Sequence, residues 1–171
     1  TIQKKFGTHS IVFDGSGDFV NFPDSTDFDF GTNAFTLELW IRASSSISSN
    51  SQLISFGGFD GFLRVMSNGH LQMRVNSGNS SQSDGGTSGA DVRDNTWHHI
   101  AAVRETATSL KVYVDGTLDH SASVSSTNVA ITAASGIGAH QPAYGSSEIF
   151  NGYLDEIRIS AGARYTSDFN S

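Results

Sequence analysis

"AFTLELWIRA", residues 34–43, decides the fold. Phe35, Leu37, Leu39 and Ile41 take every second position, and Thr36, Glu38, Trp40 and Arg42 fill the places between. A spacing of two marks an extended strand, whose side chains point alternately to opposite faces; a helix would space its apolar residues three and four apart. The pattern recurs in "SLKVYVDG" (109–116), with Leu110, Val112 and Val114 on one face and Lys111 and Tyr113 on the other. That run ends in Asp115-Gly116, a hairpin signal because both residues tolerate positive φ, and "TLDHSASVS" (117–125) returns. A second hairpin runs from "FLRVMS" (62–67) through Asn68-Gly69 into "HLQMRVN" (70–76), with Leu63, Val65, Leu71, Met73 and Val75 as its apolar set.

Further strands are expected at "SIVF" (10–13), "FVNF" (19–22), "QLISFG" (52–57), "TWHHIAAVR" (96–104) and "GYLDEIRIS" (152–160). No segment sustains a helical period, and only "PDSTDF" (23–28) and "AGARYTSDF" (161–169) offer a single turn. About ten strands, with Gly, Asn and Asp turns and no crossover helices, imply an antiparallel sandwich or barrel. The serine- and glycine-rich tracts at 44–51 and 77–90 read as surface loops, and no composition break divides the chain, so residues 1–171 form one domain.

Composition narrows the function classes. With 171 residues the chain can bury a substantial core. It has no cysteine, which excludes a disulfide framework and thiolate metal sites. The net charge is −7 and no basic cluster exceeds Lys4-Lys5, so nucleic acid is not an expected partner. No apolar run is long enough for membrane insertion, and "TIQKKFGTHS" (1–10) lacks the hydrophobic stretch of a signal peptide.

The ordered set "SIVFDGSGDFVNFPDSTDFDFGTNAFTLELWIR", "LISFGG", "DNTWHHIAAVR", "LKVYVDG" and "FNGYLDEIRIS" resembles laminin G-like domains of the concanavalin A-like lectin/glucanase superfamily. The resemblance runs from about Phe6 to Phe169. The closing "AGARYTSDF" is similar to the tail of versions found in bacteriophage structural proteins. The resemblance implies an all-β, antiparallel two-sheet jelly-roll sandwich, with ligands on rim loops or the concave face and often a calcium ion beside them.

Candidate sites follow. In "FDGSGDFVNF" (13–22), Asp14 and Asp18 flank a Gly-Ser-Gly turn. Strand alternation places Asp155 in phase with Tyr153, Ile157 and Ile159; if that face packs inward, its carboxylate needs an ion or a hydrogen-bonding partner. Related jelly rolls often hold a structural ion between the first strands and the last. One expectation is therefore a Ca²⁺ held by Asp14, Asp18 and Asp155; the other is that Asp155 accepts backbone N–H groups or pairs with an Arg. His98-His99 are adjacent on a strand, point apart and cannot easily chelate one ion. Trp40 is either a sugar-stacking platform or a ring covered by a loop. The resemblance places Trp97 in the core. In "GAHQPAYGSSE" (138–148), His140, Gln141 and Tyr144 group donors, acceptors and a flat ring for ligand contact. "FGGFDGF" (56–62) presents Phe59 and Asp60 at a bend.

Catalysis is not expected. A glycosidase needs two carboxylates flanking the scissile bond, and in the glucanase branch they project as an alternating acidic series from one strand. Here Asp155 and Glu156 are adjacent and face opposite ways, while "LELWIR" contributes only Glu38. The expectation is a non-catalytic recognition module on a virion or other extracellular surface, binding a glycan or host polysaccharide. The alternative is a decoration or fibre domain of a phage particle whose partners are other structural subunits.

Overall fold

The structure, a computed structural model, describes residues 3–57, 61–75, 82–84, 89–140 and 147–171. Among the described residues twelve strands follow in chain order: β1 (Ile11–Asp14), β2 (Val20–Phe22), β3 (Phe35–Ala43), β4 (Ser51–Phe56), β5 (Gly61–Val65), β6 (Leu71–Arg74), β7 (Gln82–Asp84), β8 (His98–Thr106), β9 (Ser109–Val114), β10 (Thr117–Ser123), β11 (Ser135–Ile137) and β12 (Asn151–Ala161). They form two six-stranded sheets, β1-β12-β3-β8-β9-β10 and β2-β11-β4-β5-β6-β7. Every pair is antiparallel: of the sandwich or barrel that the alternation allows, the chain forms the two-sheet jelly-roll sandwich that the resemblance implies.

The apolar rows meet between the sheets. Phe35, Leu37, Leu39 and Ile41 of β3 are fully buried with Ile100, Ala102, Leu110, Val112 and Leu154 of the same sheet. Facing them are Leu53, Ile54 and Phe56 of β4, Leu63 and Val65 of β5, and Leu71 and Met73 of β6. Burying each large side chain contributes about 1.5–3 kcal/mol, so this layer dominates stability. The turn at Asp115-Gly116 has φ of 51° and 83° and joins Val114 directly to Thr117, a two-residue hairpin. Gly69, at φ 88°, closes the other hairpin by donating its N–H to the Met66 carbonyl. Gly138 is required by space as well as by φ: a Cβ there would lie 2.1 Å from a ring carbon of Phe13.

Two strands lie outside the sequence expectation, β7 and β11, both of three residues. "PDSTDF" supplies a 3₁₀ turn at Thr26–Phe28, capped by the Ser25 side chain. "AGARYTSDF" forms no helical turn. It crosses the outer face of the first sheet and covers a second apolar cluster, in which Ala101, Val103 and Tyr113 pack against Ala163, Tyr165 and Phe169. The Tyr165 and Phe169 rings stack with centroids 3.6 Å apart. Backbone bonds stitch the segment down, from Gly162 N to Ala34 O (2.9 Å) and from Phe169 N to Gly116 O (2.8 Å). This second layer is why β8 is buried on both faces.

Arg104 of β8 is 0% exposed, and its guanidinium donates to three carbonyls: Gly31 (2.9 Å), Ala107 (3.0 Å) and Thr127 (2.7 Å). It ties together the segment before β3, the β8–β9 turn and the segment after β10. No helix among the described residues is long and apolar enough to cross a membrane.

Candidate functional site

The last long strand departs from simple alternation. Leu154 is buried in the core, yet Ile157 and Ile159 also pack on that core, three and five residues on. A bulge between Asp155 and Arg158 shifts the pairing with β3, and Glu156 within it has φ 49°. The bulge reverses the expected phase. Asp155 pairs with Trp40 and lies on the outer face, not with the isoleucines. Its Oδ2 accepts from the backbone N–H groups of Lys5 (3.0 Å) and Phe6 (3.1 Å), and its Oδ1 from Glu156 N (2.9 Å). Asp155 therefore takes the backbone-capping role, and it fastens an N-terminal strap across the outer face.

The structure brings two of the three expected ion ligands together and sets the third apart. Asp14 and Asp18 do come together: Asp18 accepts from Asp14 N (3.1 Å) and Asp14 from Ser16 N (2.7 Å), a self-contained turn. Register sets Asp14 opposite Asn151, four residues along β12 from Asp155. Among the described residues no group of three or more His, Asp or Glu side chains is gathered for a metal. Asp14 and Asp18 share one turn, and Asp155 holds the strap.

Beneath the strap lies a cleft of about 400 Å³, lined by Phe6, Glu38, Trp40, His99, Arg158 and Tyr165, with Glu156 at its rim. Glu38, only 4% exposed, forms the floor. Its register partner on β8 is Ala101, whose small side chain leaves room for the tail rings that pack over it. One carboxylate oxygen meets Arg164 Nε (3.0 Å) and Arg158 Nη1 (3.2 Å); the other accepts from the Tyr165 hydroxyl (2.7 Å). Nε2 of His99 stands 3.9 Å away. The arginines remain half exposed, so the cleft combines a fixed negative floor with donors open to solvent. Trp40 and Phe6 meet edge to face at 5.6 Å, and the Lys5 ammonium sits 3.9 Å above the Trp40 ring. The strap covers a face of Trp40, in keeping with the covered-ring expectation, and the residue also lines the cleft.

The other singled-out residues are distributed as follows. Trp97 is half-buried, its ring 6.5 Å from that of Tyr153, and is not a core residue; it stands just before β8, at the end of the sheet. His98 bridges Asp94 (3.2 Å) and Asp115 (2.7 Å), while His99 faces Trp40 at 5.3 Å between ring centroids. His140 is 5% exposed and so is turned inward, in contrast to the expected contact surface. Gln141, Tyr144, Phe59 and Asp60 lie outside the described residues. The cleft itself was missed because its floor and wall come from "LELWIR" and "AGARYTSDF", 127 residues apart between Glu38 and Tyr165.

Burial holds the pKa of His99 below the ordinary histidine value, against the upward pull of Glu38 and Asp115. Burial does the same to His140, opposed by Glu148. A depressed folded-state pKa means the unfolded chain binds protons that the fold refuses. The stability from these two residues is complete above about pH 6.5 and is lost as pH falls through their folded values. Thermal melts at pH 7.5 and 5.5 should show a lower midpoint in acid, and His99→Gln with His140→Gln should reduce that difference.

Two antiparallel six-stranded sheets packed face to face, with a cleft on the outer face of one, define a jelly-roll β-sandwich domain. The chain belongs to the concanavalin A-like lectin/glucanases superfamily, with residues 14–168 matching its Laminin_G_3 family model. Among solved structures it is similar to the heptameric SAP-like pentraxin from Limulus polyphemus (TM-score 0.71, 16% identity, 92% of this chain and 77% of that one). It is similar also to domains LG4-5 of the mouse laminin alpha1 chain (0.66, 18% identity), covering 88% of this chain but 40% of that one. A third is domain 4 of AbnA, a GH43 extracellular arabinanase from Geobacillus stearothermophilus, in complex with arabinotriose (0.66, 20% identity, 90% and 71%). At these identities the likeness shows the fold alone. No curated protein sequence matches the chain.

Proposed function

We propose that this domain is a non-catalytic carbohydrate-recognition module displayed on an extracellular or virion surface, and that the cleft over Glu38 receives the sugar. The observation that carries the reading is the cleft's composition. Rings of Phe6, Trp40 and Tyr165 offer flat apolar walls beside half-exposed guanidinium groups on Arg158 and Arg164. A sugar presents an apolar face and a hydroxyl edge, and such a wall-and-donor arrangement suits both. Glu38 is committed to two arginines and a tyrosine, which suits a fixed floor better than an acid or base in a reaction. The arabinotriose-bearing relative gives the fold a precedent for saccharide binding.

A different observation favours contact with neighbouring subunits. Ile11 and Val12 on β1, with Phe19 and Val20 beside and on β2, are 40–56% exposed, and both strands are sheet edges. The tail similarity to phage structural proteins suits that reading, and both roles can coexist on one module.

The test is a glycan array probed with the wild-type protein and with Trp40→Ala. Binding to at least one saccharide class, reduced about tenfold or more by the substitution, is expected. Equal binding by both proteins would remove this cleft as the site.

A further inference from the structure

The outer face of the first sheet carries a second cleft, of about 500 Å³, lined by Gln3, Asp14, Arg42, Asn95, Asn151 and Tyr153 among others. Arg42 and Tyr153 are register partners across β3 and β12, and the guanidinium lies 5.9 Å from the ring centre. Arg42 commits Nε to the Asn95 carbonyl (2.6 Å), and its two terminal nitrogens donate to no described residue. Asn95 and Asn151 each donate an amide hydrogen to a nearby serine, at 3.0 and 3.3 Å, which orients their side chains. Neither Oδ1 accepts a bond from a described residue. Asn95 is fixed further by its φ of 61°.

The cleft thus offers open donors and open acceptors side by side, next to a half-buried ring. A hydroxyl both gives and accepts a hydrogen bond, so an uncharged polyhydroxylated ligand satisfies such a mixed set. A carboxylate or sulfate would meet the Asp14 and amide oxygens, and an ammonium would meet Arg42.

The two clefts also share a line. Glu38, Trp40 and Arg42 alternate along the same face of β3, so the first and last stand about 13 Å apart at strand spacing. Between them the strap of residues 3–6 passes over Trp40, with Gln3 in the second cleft and Phe6 in the first.

We infer that the cleft at Arg42 and Tyr153 is a second subsite for neutral sugar units, in line with the first. The domain then grips an oligosaccharide that crosses over the strap with a unit in each cleft, not a single terminal sugar. This rests on the carbohydrate reading of the cleft over Glu38.

The two tryptophans report on different clefts, since Trp40 lines the first and Trp97, beside the second, neighbours its Tyr153. The experiment uses an array printed with neutral glycans from mono- to hexasaccharides, probed with wild type, Tyr153→Ala and Asn151→Ala. The strongest oligosaccharide is then titrated into Trp40→Phe, where fluorescence reports Trp97. The wild type should favour longer chains, and both cleft variants should lose about tenfold for those chains while keeping their monosaccharide signal. The Trp97 emission should shift on titration. Unchanged long-chain binding by both variants, with silent Trp97 emission, overturns the second subsite and leaves the first standing. An array without wild-type signal overturns the carbohydrate reading and this subsite together. Melting midpoints identify any variant whose loss comes from misfolding, and the other variant then decides.

Discussion

Arg104→Met should lower stability by about 3 kcal/mol, one of the two largest effects of any substitution considered. The methionine fills most of the space but donates nothing, so the carbonyls of Gly31, Ala107 and Thr127 lose a charged donor. A buried group that loses a charged donor costs about 1–3 kcal/mol, less where it keeps another bond, as the Gly31 carbonyl keeps that from Val129 N. Part of that is offset, because a fully buried guanidinium carries its own desolvation cost, which also pushes its pKa down. The lost donor wins because one guanidinium serves three chain segments at once, adding to the backbone bonds between Gly31 and Val129 and from Val124 N to Thr108 O. Arg104→Lys should recover little, since one ammonium cannot span three acceptors with the fixed fork of arginine. Urea titrations followed by circular dichroism check both variants; a methionine variant within 1 kcal/mol of wild type, on the scale of about 5–15 kcal/mol for whole domains, would refute the pinning role.

The second large effect is Tyr165→Ala with Phe169→Ala, expected to cost about 3–5 kcal/mol together. The two rings stack on each other and meet Tyr113 edge-on, at 6.5 and 5.6 Å. Their loss exposes Ala101, Val103 and Tyr113 and takes from Glu38 its only hydroxyl donor among the described residues. Removing either ring alone deprives the other of its partner, so the single costs should not add; a coupling of about 0.5–1.5 kcal/mol is expected. A double-mutant cycle by thermal melting measures it. Zero coupling would mean the tail lies loosely on the sheet.

Much of the architecture was legible because a two-residue period is a local signal. β3, β5, β6 and β9 show it, and the Asp115-Gly116 turn fixes its hairpin by local sterics. β7 and β11 were not legible: three residues are too short to display a period, and they exist because neighbouring strands pair with them. The site was harder still. The interval from Leu154 to Ile157 breaks the alternation and, in retrospect, marks the bulge that turns Asp155 outward. Nothing local announces that "AGARYTSDF" will lie across β8 and β9, since its apolar residues are too few to show a period. Asp155 illustrates the general difficulty. Its need for partners followed from chemistry, but which partners it found depended on a strap 149 residues away.

The position of β12 carries a consequence in time. This strand is the last long one in the chain, yet it lies inside its sheet, hydrogen-bonded to β1 on one side and β3 on the other. During synthesis, β3 and β8 can pair early, whereas β1 must wait for a neighbour about 140 residues downstream. Until then one edge of β3 stays open, and β1 has no place in the sheet. Contacts of such sequence separation make for slow folding, so the nascent chain passes through a stage in which half a sandwich is exposed to other strands. Both clefts come into being only at the end of that interval, when the final strand slides home.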